Sequence, residues 1–228
     1  MEATEIARLV AAGELRAEDV LSDHLARIDA TNPGINAIVT LTPELALEAA
    51  RDIDRRVAGG DTVGPLAGVP VGIKDIIETA GIRTTYASPL FKDNVPDEDA
   101  LTVQRIKAAD GVIVGKTNTP EFATGGNTNN AIFGATRNPW NTDLTPGGST
   151  GGGAAGLAAG MFALALGTDL GGSLRLPAAF CGVVGIRQTP GLVPFAPNPT
   201  PFDLFEVQGP MARTAGDVAL ALSVLAAP

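Results

Sequence analysis

The chain has 228 residues, 45% of them apolar and 18% charged, which is enough to bury a core as one large domain or two small ones and too apolar for disorder. A formal net charge of −9 repels phosphate backbones and anionic membrane surfaces alike, so neither nucleic acid nor a membrane is expected as a direct partner. No apolar run is long enough to span a bilayer, and the N-terminus, MEATEIARLVAAGELRAEDV, is acidic where a signal peptide is basic; a cytoplasmic location is expected.

The inventory excludes more chemistry than the charge does. There is one cysteine and one histidine. Cys181 lies in AAFCGVV, where a buried structural thiol is expected and no internal disulfide can form. His24, in AEDVLSDHLARIDA, takes a surface position on a helix by its spacing. A metal site would have to be built almost wholly from carboxylates, so neither metal nor cofactor is expected.

In chain order, residues 3–58 read as two or three amphipathic helices interrupted by a short strand at INAIVTLT, with TNPG and AGGD as punctuation. From residue 65 short apolar strands, PVGIK and GVIVGK, alternate with turns and with a helix around ALTVQRIKAAD. The pattern predicts an α/β fold, a sheet layered by helices. It divides the chain into an N-terminal helical segment, residues 1–60, packed on an α/β core, residues 61–228. Glycine is dense between residues 125 and 172, but Ala, Leu and Thr separate the glycines, which marks packed backbone and not a linker. The final TAGDVALALSVLAA opens with Thr214 and Asp217 at capping spacing and predicts a helix.

Three motifs are false. Gly151, Gly153 and Gly156 match a dinucleotide fingerprint but follow a proline turn instead of a buried strand. DGVIVGKT resembles a phosphate loop, yet Asp110 stands where the first glycine belongs and VIV is strand-like. Gly147-Gly148-Ser149-Thr150-Gly151 fits a nucleophile elbow whose triad needs a histidine downstream, and the only histidine is far upstream. A nucleophilic serine here must use Lys, Asp or Glu as its base.

Lys74, ending LAGVPVGIKDII, has apolar neighbours that would lower its pKa and free a neutral amine near pH 7. Between Ser149 and Ser173 lie a small-residue helix, GGGAAGLAAG, and a buried strand, MFALALGT. A helix of about ten residues covers ~15 Å and a strand of about six covers ~20 Å, so an antiparallel return brings the two serines together. In Asp169-Leu170-Gly171-Gly172-Ser173 the glycines allow successive N–H groups to face one side, a nest suited to an oxyanion; a plain tight turn is the competing reading.

The stretch TPGGSTGGGAAGLAAGMFALALGTDLGGSLRLPAAFCGVVGIRQTPGLVP resembles the amidase signature over its whole length, and GVPVGIKDIIETAGIRTTYAS, GKTNTPEFATGG, FGATRNPWN and GPMART resemble the family in the same order. The resemblance covers roughly residues 5–227. It implies a mixed central sheet with helices on both faces. It also implies a triad of Lys74 as base, Ser149 in a cis peptide as proton relay and Ser173 as nucleophile, with backbone N–H groups of Leu170, Gly171, Gly172 and Ser173 as oxyanion hole. Asp169 and Arg175 match a bracing charged pair, and Thr150 stands where serine is more common. Gly125, Gly126, Asn127 and Thr128 match a substrate-facing loop.

Family members continue for about as many residues again, and that C-terminal half is missing here. The resemblance implies hydrolysis of linear carboxylic amides through an acyl-enzyme, with esters and carbamates as further substrates. Two alternatives stand beside it: a glutaminase-like amidotransferase subunit, and a catalytically incomplete fragment. The implied partners are a small-molecule amide, a C-terminal half or second subunit on another chain, and a second copy in a homo-oligomer.

Overall fold

The structure, a computed structural model, describes residues 1–198, 200 and 203–226. Helices α1 (Ala3–Ala11) and α2 (Ala17–Ile35) lead to strand β1 (Ile38–Leu41) and helix α3 (Pro43–Ala58). Strand β2 (Pro70–Lys74), helix α4 (Leu101–Ala108) and strand β3 (Val112–Thr117) follow, and a small hairpin pairs β4 (Asn129–Asn130) with β5 (Gly134–Ala135). Helix α5 (Gly151–Ala158), strand β6 (Leu164–Asp169) and helix α6 (Arg175–Cys181) carry the glycine-rich region. Strands β7 (Val184–Gly185) and β8 (Val207–Ala212) and helix α7 (Ala215–Leu225) complete the order.

Six strands form one mixed sheet in the order β1-β3-β2-β6-β8-β7. The central strands β3, β2 and β6 run parallel, while β1, β8 and β7 pair antiparallel to their neighbours. Because side chains alternate along a strand, Val71 faces Ile106 of α4 and Leu225 of α7 on one side, whereas a side chain at Gly72 would meet Phe162, whose ring also lies against Gly156 of α5. Helices therefore cover both faces. Residues 1–60 share this core: β1 pairs with β3, and Ile6, Leu21 and Ile53 belong to the same buried cluster as Ile73 and Leu166. Among the described residues no helix is long and apolar enough to cross a membrane.

Local chemistry accounts for the ends of the elements. The expected break at TNPG does not occur; α2 runs through Pro33 to Ile35. It stops where Asn36 turns left-handed (φ 58°) and the Asn32 side chain accepts from the amides of Ala37 and Ile38. Thr214 caps α7 by accepting from the Asp217 amide at 3.2 Å, as the capping spacing suggests; Ala227, the last residue of the predicted segment, lies outside the described residues.

The glycines of α5 hold the helix against the sheet. A Cβ on Gly152 would sit 2.6 Å from the Ala37 carbonyl oxygen and closer still to the Asn118 amide nitrogen, both rigid backbone. Overpacking of this kind costs roughly 1–3 kcal/mol. Gly152→Ala is expected to lower the urea unfolding midpoint accordingly, whereas Gly171→Ala, which meets nothing within 4 Å, should leave stability within about 0.5 kcal/mol of the parent.

Candidate active site

The parallel strands β2 and β6 end side by side, so residues at their carboxyl ends face a common crevice, the usual location of sites in sheets of this kind. Lys74 is the last residue of β2 and is fully buried. Its Nζ lies 2.6 Å from Ser149 Oγ and 2.9 Å from Thr168 Oγ1. Burial disfavours the ammonium and lowers the pKa to about 7, against a weaker upward pull from Glu206 and Asp169.

Ser149 is buried, and the Gly148–Ser149 peptide is cis. Its neighbours are arranged by space. The Thr150 amide donates to the Ser173 carbonyl at 3.1 Å, which fastens the segment holding Ser149 to the turn holding Ser173. The Thr150 hydroxyl donates to the Thr168 carbonyl at 3.3 Å, and a side chain at Gly167 would strike that threonine. Ser173 Oγ has no hydrogen bond among the described residues, so a contact between the two serine hydroxyls is not formed in this structure.

Asp169 organises the turn. It is buried, and its carboxylate accepts from the amides of Gly172 (2.7 Å) and Leu174 (3.1 Å) and from Arg175 Nε and Nη2, both at 3.0 Å. Burial alone would raise its pKa; these donors, Arg175 first, instead hold it down to about 2. Arg187 Nε adds a charge at 3.7 Å from Oδ1. One expectation changes here. Of the four amides matched to an oxyanion hole, that of Gly172 is already taken by Asp169, while those of Leu170, Gly171 and Ser173 carry no hydrogen bond among the described residues.

The loop of Gly125, Gly126, Asn127 and Thr128 lies directly on the serine segment. Thr128 is buried and donates to the Gly147 carbonyl at 2.9 Å, and a side chain at Gly148 would meet the backbone of Gly126 and Asn127 at 2.9 Å. Gly125 to Asn127 are exposed. The dinucleotide-like glycines sit inside α5, and the loop-like DGVIVGKT contains β3. Cys181 is buried, its pKa pushed up to about 12 by desolvation. His24 departs from a surface position: it is half-buried, which lowers its pKa, and its Nδ1 has no partner among the described residues.

Thr168 and Arg187 escaped the reading of the sequence. Thr168 becomes visible only through the register of β2 against β6, in which Ile73 pairs with Leu166, and Arg187 is separated from Asp169 by the whole of α6 and β7. A second fully buried lysine, Lys116, also went unnoticed. Its Nζ donates to the Ile77 carbonyl and to Thr79 Oγ1 and Thr84 Oγ1, the latter two at 2.9 Å, so it ties down the loop that follows Lys74.

The profile of the Amidase family matches residues 19–228. Relatives include a glutamyl-tRNA(Gln) amidotransferase subunit from Carboxydothermus hydrogenoformans, 47% identical over 99% of this chain and 47% of its own length. The protein of the same name from Roseiflexus sp. is 47% identical over 94% of this chain and 44% of its own. Among solved structures, a bacterial aryl acylamidase of the amidase signature enzymes superimposes with a TM-score of 0.92 at 36% identity, over 99% of this chain and 47% of that one. A peptide amidase in complex with the inhibitor chymostatin gives 0.90 at 34%, over 100% and 48%. The chain spans about half the length of the relatives it matches. Fold, profile and identity over almost every residue agree: the chain belongs to the amidase signature family.

Proposed function

We propose that this chain carries the acyl-transfer centre of an enzyme that cleaves the C–N bond of a carboxylic amide, with Ser173 as nucleophile, Ser149 as relay and Lys74 as base. The observation that carries the reading is the buried amine of Lys74, held between two hydroxyls with no carboxylate in contact among the described residues. A base in that setting is neutral over much of the physiological range.

The Ser173 oxygen attacks the carbonyl carbon while its proton passes to Ser149, whose own proton goes to Lys74 Nζ. Closing that relay requires the Ser173 hydroxyl to turn toward Ser149. The oxyanion formed faces the amides of Leu170, Gly171 and Ser173, which carry no hydrogen bond among the described residues. Asp169, through the Gly172 and Leu174 amides and Arg175, keeps that turn in shape. Ser149 then returns the proton to the amide nitrogen, the C–N bond breaks and the amine leaves. Water attacks the acyl-enzyme by the same relay and releases the acid. Esters and carbamates fit the same steps. A cytoplasmic setting belongs to the same reading.

A second form of this reading is favoured by the relatives. The amidotransferase subunits are 44–47% identical, against 34–36% for the aryl acylamidase and the peptide amidase. In that form the same centre liberates ammonia from an amide for a second reaction, and the chain works with partner subunits. In either form, residues beyond those of this chain complete the substrate pocket, on the same polypeptide or on another.

A fluorophosphonate tests the centre. One adduct per chain by intact mass, lost in Ser173→Ala and formed roughly a hundredfold or more slowly in Lys74→Met and Ser149→Ala, is the expected result; a chain that takes up no label is not an enzyme by itself. Below the Lys74 pKa of about 7 the amine is protonated and cannot act as base. The labelling rate should therefore fall about tenfold per pH unit below that midpoint and level off above it.

Stability should move the opposite way on substitution. Lys74 has a folded pKa below its unfolded one, so between about 7 and 10.5 the unfolded chain binds the extra proton and folding loses stability as pH falls through that window. Lys74→Met should consequently unfold at a higher urea concentration than the parent at pH 7, and the difference should shrink toward about pH 10.

A further inference from the structure

A cavity of about 460 Å³ adjoins the lysine side of the centre and shares Thr168 with it. That volume suits a small-molecule group. The chain is poor in aromatic residues, with one Tyr, one Trp and eight Phe, yet four of these ten rings, Tyr86, Phe91, Phe122 and Phe195, line this one space. Three of them interlock edge to face: Tyr86 with Phe91 at 5.1 Å and 64°, and Phe91 with Phe122 at 6.1 Å and 88°.

The backbone holds the rings in uncommon conformations. Tyr86 and Ala87 (φ 52° and 53°) and Phe122 and Ala123 (φ 49° and 57°) are left-handed pairs on separate loops, joined by the Phe122 amide donating to the Tyr86 carbonyl at 2.8 Å. Bulky residues adopt this region only under constraint, and such constraint gathers at ligand sites. The Tyr86 hydroxyl donates to Glu78 Oε1 at 2.6 Å, which fixes the ring; burial, then that carboxylate, raises the phenol pKa and keeps it protonated. Glu78 and Glu206 are the charged residues of the lining, and no cationic side chain among the described residues lines it.

We propose that this cavity receives an aromatic group of the substrate, uncharged or cationic, and rejects an anionic one. The rings supply flat apolar contact and favour positive charge over their faces, while Glu78 and Glu206 repel a carboxylate. The proposal rests on the amide-cleaving reading above and adds the substrate class to it: an amide with an aryl or arylalkyl substituent on its acyl or its amine side.

The test uses ligands of one size that cannot be cleaved, titrated into the intact chain by calorimetry: benzyl alcohol, benzylamine and benzoate, with 1-hexanol as the acyclic control. Benzyl alcohol and benzylamine should bind at least about tenfold more tightly than benzoate and than 1-hexanol. Phe122→Ala, at a half-exposed position, should weaken benzyl alcohol about tenfold with an unchanged unfolding midpoint. Combined Glu78→Gln and Glu206→Gln should bring benzoate to within about threefold of benzyl alcohol. Equal binding of benzoate and benzyl alcohol by the parent chain, or no effect of Phe122→Ala, overturns the proposal.

Fluorophosphonate labelling separates the two claims. Selective benzyl alcohol binding by a chain that takes no label upholds the cavity and sinks the amide-cleaving reading; labelling without selective binding does the reverse. For a labelled chain, comparing phenylacetamide with N-benzylacetamide assigns the ring to the acyl or the amine side, by which substrate loses kcat/KM in Phe122→Ala.

Discussion

The rest of the site depends on one unfavourable arrangement, a lysine removed from water at the end of a central strand. In an apolar interior an ammonium without a counter-ion is costly, and among the described residues Lys74 meets two hydroxyl oxygens and no carboxylate. The fold resolves the cost by letting the amine lose its proton near neutrality. The nearest acids act only at a distance, because Asp169 is fully engaged by Arg175 and by the amides of its own turn. Were that carboxylate free to reach Lys74, the pair would hold the amine charged.

Two kinds of rigidity serve this arrangement. Around the serines the chain is packed backbone to backbone: Gly148 lies on residues 126 and 127, Gly152 on residues 37 and 118, and Gly167 beneath Thr150. Around the lysine, polar ties do the work, with Lys116 holding the following loop by three oxygens and Asp75 accepting from Thr85. The N-terminal residues belong to the same construction, since the Ala37 carbonyl accepts from the Asn118 amide beside α5. A short strand, Ile38–Leu41, and the Ala37 carbonyl before it thus form part of the platform for Ser149.

What the sequence disclosed and what it withheld divide along physical lines. Lys74, Ser149 and the Asp169 turn stand out because their neighbours are unusual for their residue types: a lysine among aliphatics, serines among glycines, an acid before two glycines. Helices α1, α3, α4 and α7 follow from apolar spacing and the Thr214 cap. Pro33 misled because a proline near a helix end removes a donor without ending the helix when a neighbouring asparagine satisfies the exposed amides. The engagement of the Gly172 amide could not be read from residue order, since any amide in a nest serves an internal carboxylate as well as an external anion. Thr168 needs the β2–β6 register. The four rings come from positions 86, 91, 122 and 195, and no local window contains more than two of them, so low aromatic content conceals a local concentration.

The glycine packing also explains what kind of information the recognisable stretch holds. Residues 147–156 are small because helix, strand and loop leave no volume for anything larger, and residues 169–175 are ordered by an internal carboxylate. Both conditions concern how two hydroxyls and an amine are seated. Neither sets the volume or the charge of the cavity lined by Tyr86, Phe91, Phe122 and Phe195. Likeness in this stretch is therefore likeness in how these groups are seated, while the walls around them are drawn from distant parts of the chain, positions 86, 91, 122 and 195 among them.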